Sequence, residues 1–295
     1  MIYQGSGVAI VTPFKDNLDI HFEKLDELIE FQIANDTDAI IICGTTGEAS
    51  TMTEVEHIET IRFTVERVRG RVPVIAGTGS NCTKTTIELS SAAENSGADG
   101  LLVVSPYYNK ATQNGLIAHF TQVADAVKIP VILYNIPGRT GVGIHAETTA
   151  SLVHNTSNII GMKDASGDLG LIARMMYLCD GKLDLYSGND DQILPLLSLG
   201  GLGVISVMAN IQPKYMHDMI NRFFNGNLKG CREMQLKMLP LFTELFCEVS
   251  PIPIKAAMNL MGMQVGGLRP PLTTLEPHNM AKLEKVMQQY NLITH

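Results

Sequence analysis

Residues 130–164 have the sequence PVILYNIPGRTGVGIHAETTASLVHNTSNIIGMKD. Two short and almost continuously apolar runs, PVILY and NIIGMK, lie at its ends, and a helical pattern over 146–154 lies between them. Runs of this kind are typical of strands that are buried on both faces of a parallel sheet. The stretch therefore predicts one strand–helix–strand unit of an α/β protein.

The same unit recurs along most of the chain. Six further runs are GVAIV near residue 8, DAIIIC near 40, VPVIAG near 74, GLLVV near 102, LDLYS near 185 and GVISV near 205. The other helical patterns cover 19–34, 54–69, 84–96, 112–127, 168–178, 190–199 and 212–223. Thr53 and Glu56 form a capping box where the second of these helices begins.

Eight strands, each followed by a helix, predict a closed (β/α)8 TIM barrel. A doubly wound open sheet is the alternative, and that fold usually carries G-x-G-x-x-G after its first strand. The corresponding residues here are TPFKDN.

The alternation of strands and helices stops after residue 224. Residues 228–247, 252–261 and 276–291 show helical patterns with no strand run between them, and the turn signals NGN, PIP and RPP separate the patterns. We predict a catalytic barrel over 1–224 and a small C-terminal helical appendage over 225–295.

The composition argues against several classes of protein. The chain has 295 residues, a formal net charge of −8 and no run of Lys or Arg, so we expect no nucleic-acid partner. Its five cysteines are widely spaced without a C-x-x-C, which argues against a disulfide framework and suits a reducing compartment. No signal peptide and no apolar run of about 18 residues is present, so we expect a cytoplasmic protein without a membrane partner.

Chemistry in a TIM barrel lies at the carboxyl ends of the strands and in the loops that follow them. The most informative residue there is Lys163, which closes the apolar sixth run. Burial of a lysine lowers its pKa, and the neutral amine is a nucleophile that can form a Schiff base with a carbonyl. From position alone, the alternative is an ion pair with Asp164 or another carboxylate.

Hydroxyl and guanidinium side chains occur at neighbouring strand ends. Thr46, Tyr108 and Tyr134 lie at the ends of the second, fourth and fifth runs. Hydroxyl groups in series can pass the protons that imine chemistry must move, although a single buried tyrosine often only fills space. Arg139, in a Gly-Arg-Thr turn after the fifth run, suits either a substrate carboxylate or an ordinary surface ion pair.

Two other chemistries find less support in the sequence. Phosphate-binding barrels use the loops after strands 7 and 8, but the loop after the seventh run is GNDD, whose two carboxylates repel phosphate. The eight histidines show no H-x-H or H-x-x-x-H spacing, so we expect no metal site.

Eight motifs, in order along the chain, resemble those of one family. They are GVAIVTPF, GTTGE, PVIAGTG, PYYNK, YNIPGRT, MKDAS, YSGND and GVISV. Each motif is modest alone, but their order at the expected strand ends is highly specific. The chain resembles the dihydrodipicolinate synthase family over nearly its whole length. That family lies in the pyruvate-dependent class I aldolase superfamily, which also holds N-acetylneuraminate lyase.

The resemblance implies a reaction. Lys163 would condense with pyruvate to an imine, without any other cofactor, and the derived enamine would attack the aldehyde of L-aspartate 4-semialdehyde. The product, 4-hydroxytetrahydrodipicolinate, lies on the diaminopimelate route to lysine. Tyr134 would be the acid–base residue, and Thr46 and Tyr108 would complete the proton relay. Three further residues would border the substrates: Thr45, Gly188 and Ile205 through its carbonyl.

The resemblance also implies an assembly and separates the members of the superfamily. The tyrosine that matches Tyr108 reaches into a neighbouring subunit's site, so we expect an obligate homodimer, usually paired into a homotetramer. In the synthases, the arginine that matches Arg139 faces the semialdehyde carboxylate, whereas sialic acid lyases usually lack it. The synthase is therefore favoured over a lyase that cleaves a 2-keto-3-deoxy sugar acid. An inactive scaffold barrel is a further alternative, but it predicts a broken set of site residues.

Two features depart from the family pattern. Ser250 stands where members often have Asn before the Pro-Ile-Pro turn. A possible allosteric lysine site is also incomplete, because Ser is replaced by alanine and a Glu by threonine at two of its positions. Its residues would be Ala49, Glu54, His57, Asn81, Thr85 and Tyr107. Since a lost carboxylate should weaken lysine binding, we expect weak or absent feedback inhibition.

Overall fold

A closed barrel of eight parallel strands forms the centre of the computed structural model, which describes residues 1–294. The strands are β1 (Gly5–Ala9), β2 (Ala39–Ile42), β3 (Val74–Gly77), β4 (Gly100–Val104), β5 (Val131–Asn135), β6 (Ile159–Asp164), β7 (Asp184–Ser187) and β8 (Gly203–Ser206). Each strand pairs with the next along the chain, and β8 returns to β1 with Ile205 opposite Gly7. The predicted (β/α)8 barrel is confirmed.

Helices follow the strands around the outside of the barrel. They are α1 (Phe22–Ala34), α2 (Glu54–Val68), α3 (Thr83–Asn95), α4 (Gln113–Ala126), α5 (Pro137–Thr140), α6 (Ala146–Asn155), α7 (Leu169–Leu178), α8 (Ile193–Ser198) and α9 (Pro213–Phe224). Both hydrogen bonds of the predicted capping box at Thr53 are present. The short helix α5 was not predicted from the sequence, since four residues are too few to show a helical period.

The C-terminal segment forms four helices in the described residues, where three were predicted. They are α10 (Leu228–Lys237), α11 (Leu239–Glu244), α12 (Ile252–Leu260) and α13 (Pro277–Gln289). The prediction of one helix over 228–247 is wrong because Pro240 lies within it. Proline has no N–H to donate and clashes with the preceding turn, so α10 ends and α11 begins with this proline in its first turn.

Two other helices begin three residues after the predicted position, at 22 instead of 19 and at 193 instead of 190. The helix expected over 19–34 begins at Phe22, because the His21 side chain accepts a hydrogen bond from the Lys24 backbone amide and so caps the helix there. The helix expected over 190–199 begins as a 3₁₀ turn over Asp190–Gln192 before α8. Both differences lie at helix ends, which hydrophobic periodicity does not resolve.

Two apolar cores hold the barrel together. The larger core lies between the strands and the surrounding helices. The smaller one fills the inside of the barrel and includes Tyr3, Ile41, Ile132, Tyr134 and Tyr186. Tyr3 and Tyr186 stack with their ring centroids 4.5 Å apart, which closes the amino end of the barrel and leaves the opposite end for chemistry.

The appendage begins directly after α9, and we propose to divide the chain between residues 224 and 225. One residue of the predicted appendage, His295, lies outside the described residues. Within residues 1–294, no helix combines the length and the apolar character that a membrane span requires.

Candidate active site

Lys163 lies near the carboxyl end of β6, and its side chain is buried with 6% of the residue exposed. It pairs in register with Tyr134 of β5, and its Nζ lies 4.3 Å from the centre of the Tyr134 ring. Asp164 does not pair with the lysine, because its carboxylate accepts hydrogen bonds from Asn135 and Ser166. The alternative of a Lys163–Asp164 ion pair is therefore wrong.

Burial sets the protonation of this lysine. The pKa of Lys163 is lowered to about 7, chiefly by loss of hydration; the Asp190 carboxylate opposes this shift and the nearby Arg139 cation contributes to it. A substantial fraction of the amine is then neutral near pH 7. A neutral amine at the mouth of a barrel can attack a carbonyl carbon.

Tyr134 lies at the end of β5 beside the lysine and is also buried. Burial raises the pKa of its phenol to about 12, and the nearby Arg139 cation acts in the opposite direction. The phenol is therefore protonated near neutral pH and can act as a proton donor. Of the two threonines in GTTGE, Thr45 opens on the same cavity as Tyr134, whereas Thr46 is buried and does not line it.

Gly188 leaves room for the lysine. A Cβ at this position would lie 3.1 Å from the Lys163 Cε, 3.0 Å from the Asp164 carbonyl oxygen and 2.7 Å from the Ala165 Cβ. The glycine after β7 therefore lets the lysine side chain and the backbone approach each other closely. Ile205, on β8, is buried among the residues that fill the inside of the barrel.

Arg139 lies in α5 and lines the mouth of the same cavity. Its Nη2 donates a hydrogen bond of 2.9 Å to the backbone carbonyl of Ser250, in the C-terminal appendage. The Ser250 hydroxyl is buried and has no hydrogen-bond partner within residues 1–294. The appendage thus holds the guanidinium at the mouth, and the remaining donors of Arg139 can bind an anionic group.

Tyr108 stands apart from this group within the single chain. Its side chain is 86% exposed, and it does not line the cavity. Its backbone has a φ of 73°, which is uncommon for a residue with a side chain. Within one chain, Tyr134 therefore lies beside Lys163 and shares a cavity with Thr45, whereas the Tyr108 side chain lies outside that cavity.

The cavity that Thr45, Tyr134 and Arg139 line has a volume of about 380 Å³, and Lys163 lies beside it, next to the Tyr134 ring. It also reaches most of the residues predicted for an allosteric lysine site. Of that set, the cavity is lined by Ala49, Glu54, His57, Thr85 and Tyr107. Asn81 lies outside it, where its backbone carbonyl accepts a hydrogen bond from Asn109. The His57 ring bonds the Gly77 carbonyl at 2.7 Å, and burial lowers the pKa of its imidazole.

Asp190 is a polar residue that the sequence reasoning did not single out. It is buried, and its carboxylate accepts hydrogen bonds from the backbone amides of Val207 and Met208 after β8. Its carboxylate opposes the lowering of the Lys163 pKa. The sequence signal for this residue is its place in the GNDD loop, two residues after Gly188.

Comparison with known proteins agrees with this geometry. The family model described as "Dihydrodipicolinate synthetase family" matches residues 3–290. A 4-hydroxy-tetrahydrodipicolinate synthase of Lachnoclostridium phytofermentans is 56% identical over 292 residues, which cover 99% of each chain. The dihydrodipicolinate synthase structure from Aquifex aeolicus superposes with a TM-score of 0.96, at 44% identity and 98% coverage of both chains.

A second solved structure is the chloride-inhibited dihydrodipicolinate synthase of Acinetobacter baumannii, complexed with pyruvate. It has a TM-score of 0.96 and 41% identity, and the match covers 99% of this chain and 100% of that one. A full-length family match, relatives above half identity and a shared barrel lead to one conclusion. This chain belongs to the dihydrodipicolinate synthetase family.

Proposed function

We propose that this chain is a 4-hydroxy-tetrahydrodipicolinate synthase, which condenses pyruvate with L-aspartate 4-semialdehyde on the diaminopimelate route to lysine. The observation that carries the proposal is the buried Lys163, whose pKa is lowered to about 7. It lies beside Tyr134 in a chain that matches this family over residues 3–290. The first substrate is the ligand named for the A. baumannii relative.

The first step would be imine formation. The neutral Nζ of Lys163 attacks C2 of pyruvate, and the resulting carbinolamine loses water. We place the pyruvate between Gly188 and the carbonyl of Ile205, where the glycine leaves space next to the lysine. The cationic imine acts as the electron sink for the next step, so the proposed reaction uses no metal or organic cofactor.

The second step would be proton removal from C3 of pyruvate to give an enamine. Tyr134 is the acid–base group that we assign to it, since its ring lies 4.3 Å from the lysine Nζ. The phenol would give its proton to the hydroxide that leaves the carbinolamine as water, and the phenolate would then take the proton from C3. We propose Thr45 as the next member of the relay, in place of Thr46, because Thr45 lines the same cavity as Tyr134 and Thr46 does not. Tyr108 of a neighbouring subunit would complete the relay.

The enamine carbon then attacks the aldehyde of the second substrate and forms the new carbon–carbon bond. We assign the carboxylate of the semialdehyde to Arg139, which lies at the mouth and is steadied by the Ser250 carbonyl. The amine of the semialdehyde displaces Lys163 from the imine, which closes the ring and regenerates the enzyme. Because Arg139 fits a short carboxylate-bearing aldehyde, we propose the synthase and not a sugar-acid lyase.

We propose a homodimer that pairs into a homotetramer as the working form. The support is Tyr108, which is a required relay member under the proposed mechanism and is exposed in the single chain. We also propose that the enzyme works in the cytoplasm, because the five cysteines of the described residues are all unbridged.

The outer part of the cavity is where the allosteric ligand lysine would bind. We propose weak or absent feedback inhibition, because Ala49 and Thr85 line the region where polar and acidic groups would be needed. Glu54 is the carboxylate that lines this part. We expect little loss of activity at about 1 mM lysine, and half-inhibition well below that concentration would contradict the proposal.

Borohydride trapping tests the proposed function directly. Reduction in the presence of pyruvate should add the mass of the reduced pyruvate adduct to the peptide that carries Lys163, and Lys163→Ala should remove the adduct. An unmodified peptide in the active wild-type protein would overturn the mechanism. A coupled assay that compares aspartate semialdehyde with N-acetylmannosamine then separates the synthase from the lyase.

A further inference from the structure

A buried ion pair joins the C-terminal appendage to the GTTGE loop. Lys255 of α12 places its Nζ 2.6 Å from Glu48 Oε1, and both side chains are almost completely excluded from solvent, at 1% and 0% exposed. The second carboxylate oxygen of Glu48 accepts a hydrogen bond of 3.1 Å from the backbone amide of Arg269. Neither Lys255 nor Glu48 lines the cavity, and the proposed mechanism uses neither of them.

The lysine is held in one place by further contacts. Its Nζ donates to the Gly267 carbonyl at 2.8 Å and lies 4.0 Å from the centre of the Phe14 ring. The Phe14 backbone amide in turn donates to the Val265 carbonyl. These contacts fix the segment after α12 against the loop that follows β1.

Arg269 holds the far side of the same loop. Its guanidinium binds the Glu56 carboxylate through two nitrogens and also donates to the Thr51 and Leu18 carbonyls. Glu56 belongs to the capping box at the start of α2. The appendage therefore contacts the chain at residue 48 and again at residues 51 and 56, so that it holds the middle of the segment between β2 and α2 and the end next to α2.

Glu48 is coupled to Thr45 by a tight turn. The Glu48 amide donates to the Thr45 carbonyl at 3.1 Å, and the Gly47 carbonyl accepts from the Thr12 hydroxyl at 2.7 Å. Glu48 itself has a φ of 56°, a conformation that a non-glycine residue adopts only when its surroundings impose it. A shift of the Glu48 carboxylate would therefore be transmitted through the turn to Thr45.

We propose that Glu48 and Lys255 are positioning residues, which hold Thr45 against Tyr134 and so set the rate of proton transfer at C3 of pyruvate. A buried ion pair adds little net stability, because the loss of hydration of both charges opposes their attraction. The two charges compensate each other only when the side chains keep one geometry, so the pair fixes their relative position. That property suits a loop whose hydroxyl must stay within hydrogen-bond reach of a catalytic phenol. The inference rests on the proposed function and deepens it.

The test measures proton transfer separately from imine formation. Each protein is incubated with pyruvate in D2O, and exchange of the methyl protons is followed by NMR, while borohydride trapping reports the imine at Lys163. We expect Glu48→Gln and Lys255→Met to slow the exchange about ten- to hundredfold, with trapping within about twofold of the wild type. The double variant, which leaves no buried charge unpaired, should fold and show the same slow exchange.

A double-mutant cycle with Thr45→Val tests whether Lys255 affects the exchange rate through the Thr45 hydroxyl. If Lys255 acts through Thr45, Lys255→Met should add no further loss of exchange once the Thr45 hydroxyl is absent. Additive losses would overturn the proposal, and so would exchange at the wild-type rate in the folded double variant.

The matched control is Asp38→Asn, which breaks the 2.9 Å Asp38–His217 pair at the opposite end of the barrel. It should lower thermal stability and leave the exchange rate unchanged. If Asp38→Asn slowed the exchange as much as Lys255→Met does, the effect of Lys255 would be explained by general destabilisation, and the proposal would be overturned. If the wild-type protein itself shows neither trapping nor exchange, the proposed function fails instead.

Discussion

At the scale of single residues, the reactivity of Lys163 depends on its burial. With the ordinary lysine pKa near 10.5, only about three amines in ten thousand would be neutral at pH 7. Burial lowers that pKa to about 7, so about half are neutral. A lysine on the surface with an unperturbed pKa would therefore be a poor nucleophile. Burial at the end of β6 gives Lys163 its larger neutral fraction.

This shift predicts a pH dependence. The rate of imine formation with pyruvate should rise between about pH 6 and pH 8 and then level off, because the neutral amine is the reacting form. The folded-state pKa is below the unfolded value, so the unfolded chain binds more protons between about pH 7 and 10.5, and this group makes stability rise with pH in that window. Stopped-flow or quenched trapping across the pH range would measure the rate, and a midpoint near 10 would contradict the burial argument.

Arg139 is expected to act on the second substrate only. Arg139→Ala should lower kcat/KM for aspartate semialdehyde about ten- to hundredfold, the usual effect of losing a hydrogen bond to a charged group. Trapping of the pyruvate imine should be nearly unchanged, because the imine forms deeper in the barrel at Lys163. Arg139→Lys is the control, because it keeps the positive charge but removes the planar guanidinium that can bind a carboxylate through two nitrogens. An equal loss in both assays would mean that Arg139 mainly supports the Ser250 carbonyl.

At the scale of secondary-structure elements, the barrel closes where β8 meets β1. A Cβ at Gly203 would lie 1.8 Å from the Gly5 carbonyl oxygen, which is backbone and cannot move aside. The pair of glycines therefore lets the two terminal strands approach and close the sheet.

Gly203→Ala is expected to destabilise the fold by about 1–3 kcal/mol or more, because the strand pairing must open to admit the methyl group. Gly138→Ala is the control, since a Cβ there would meet nothing within 4 Å. Urea denaturation of both variants measures the difference. Equal stability of the two proteins would show that the seam between β8 and β1 is more compliant than its geometry indicates.

The elements themselves could be predicted from the sequence because their signals are local. Apolar runs marked all eight strands, and the Thr53–Glu56 pair marked the start of α2. The errors occurred where a single residue overrides periodicity, as Pro240 does between α10 and α11. Thr45 and Thr46 are adjacent, and a strand-end motif cannot tell which hydroxyl faces the cavity, since that depends on how the loop is held from outside.

At the scale of the whole molecule, the exposure of Tyr108 predicts shared active sites. Tyr108→Phe and Lys163→Ala should each be almost inactive alone. After the subunits exchange, a mixed dimer would hold one complete site, with the lysine from one chain and the tyrosine from the other. Random exchange would restore about one site in four. If Tyr108 served its own chain, mixing would restore no activity, because neither chain carries both residues.

The sequence by itself determined the barrel, the strand end that carries Lys163, and the family, since each depends on hydrophobic period and on motif order along the chain. Only the tertiary structure decided which residues meet. It placed Thr45 and not Thr46 on the cavity that Tyr134 lines, engaged Asp164 with Asn135, and brought Lys255 onto Glu48 across 207 positions of sequence. The physical reason is that side-chain contacts, burial and the pKa of the lysine arise from groups that the folded chain gathers from distant positions.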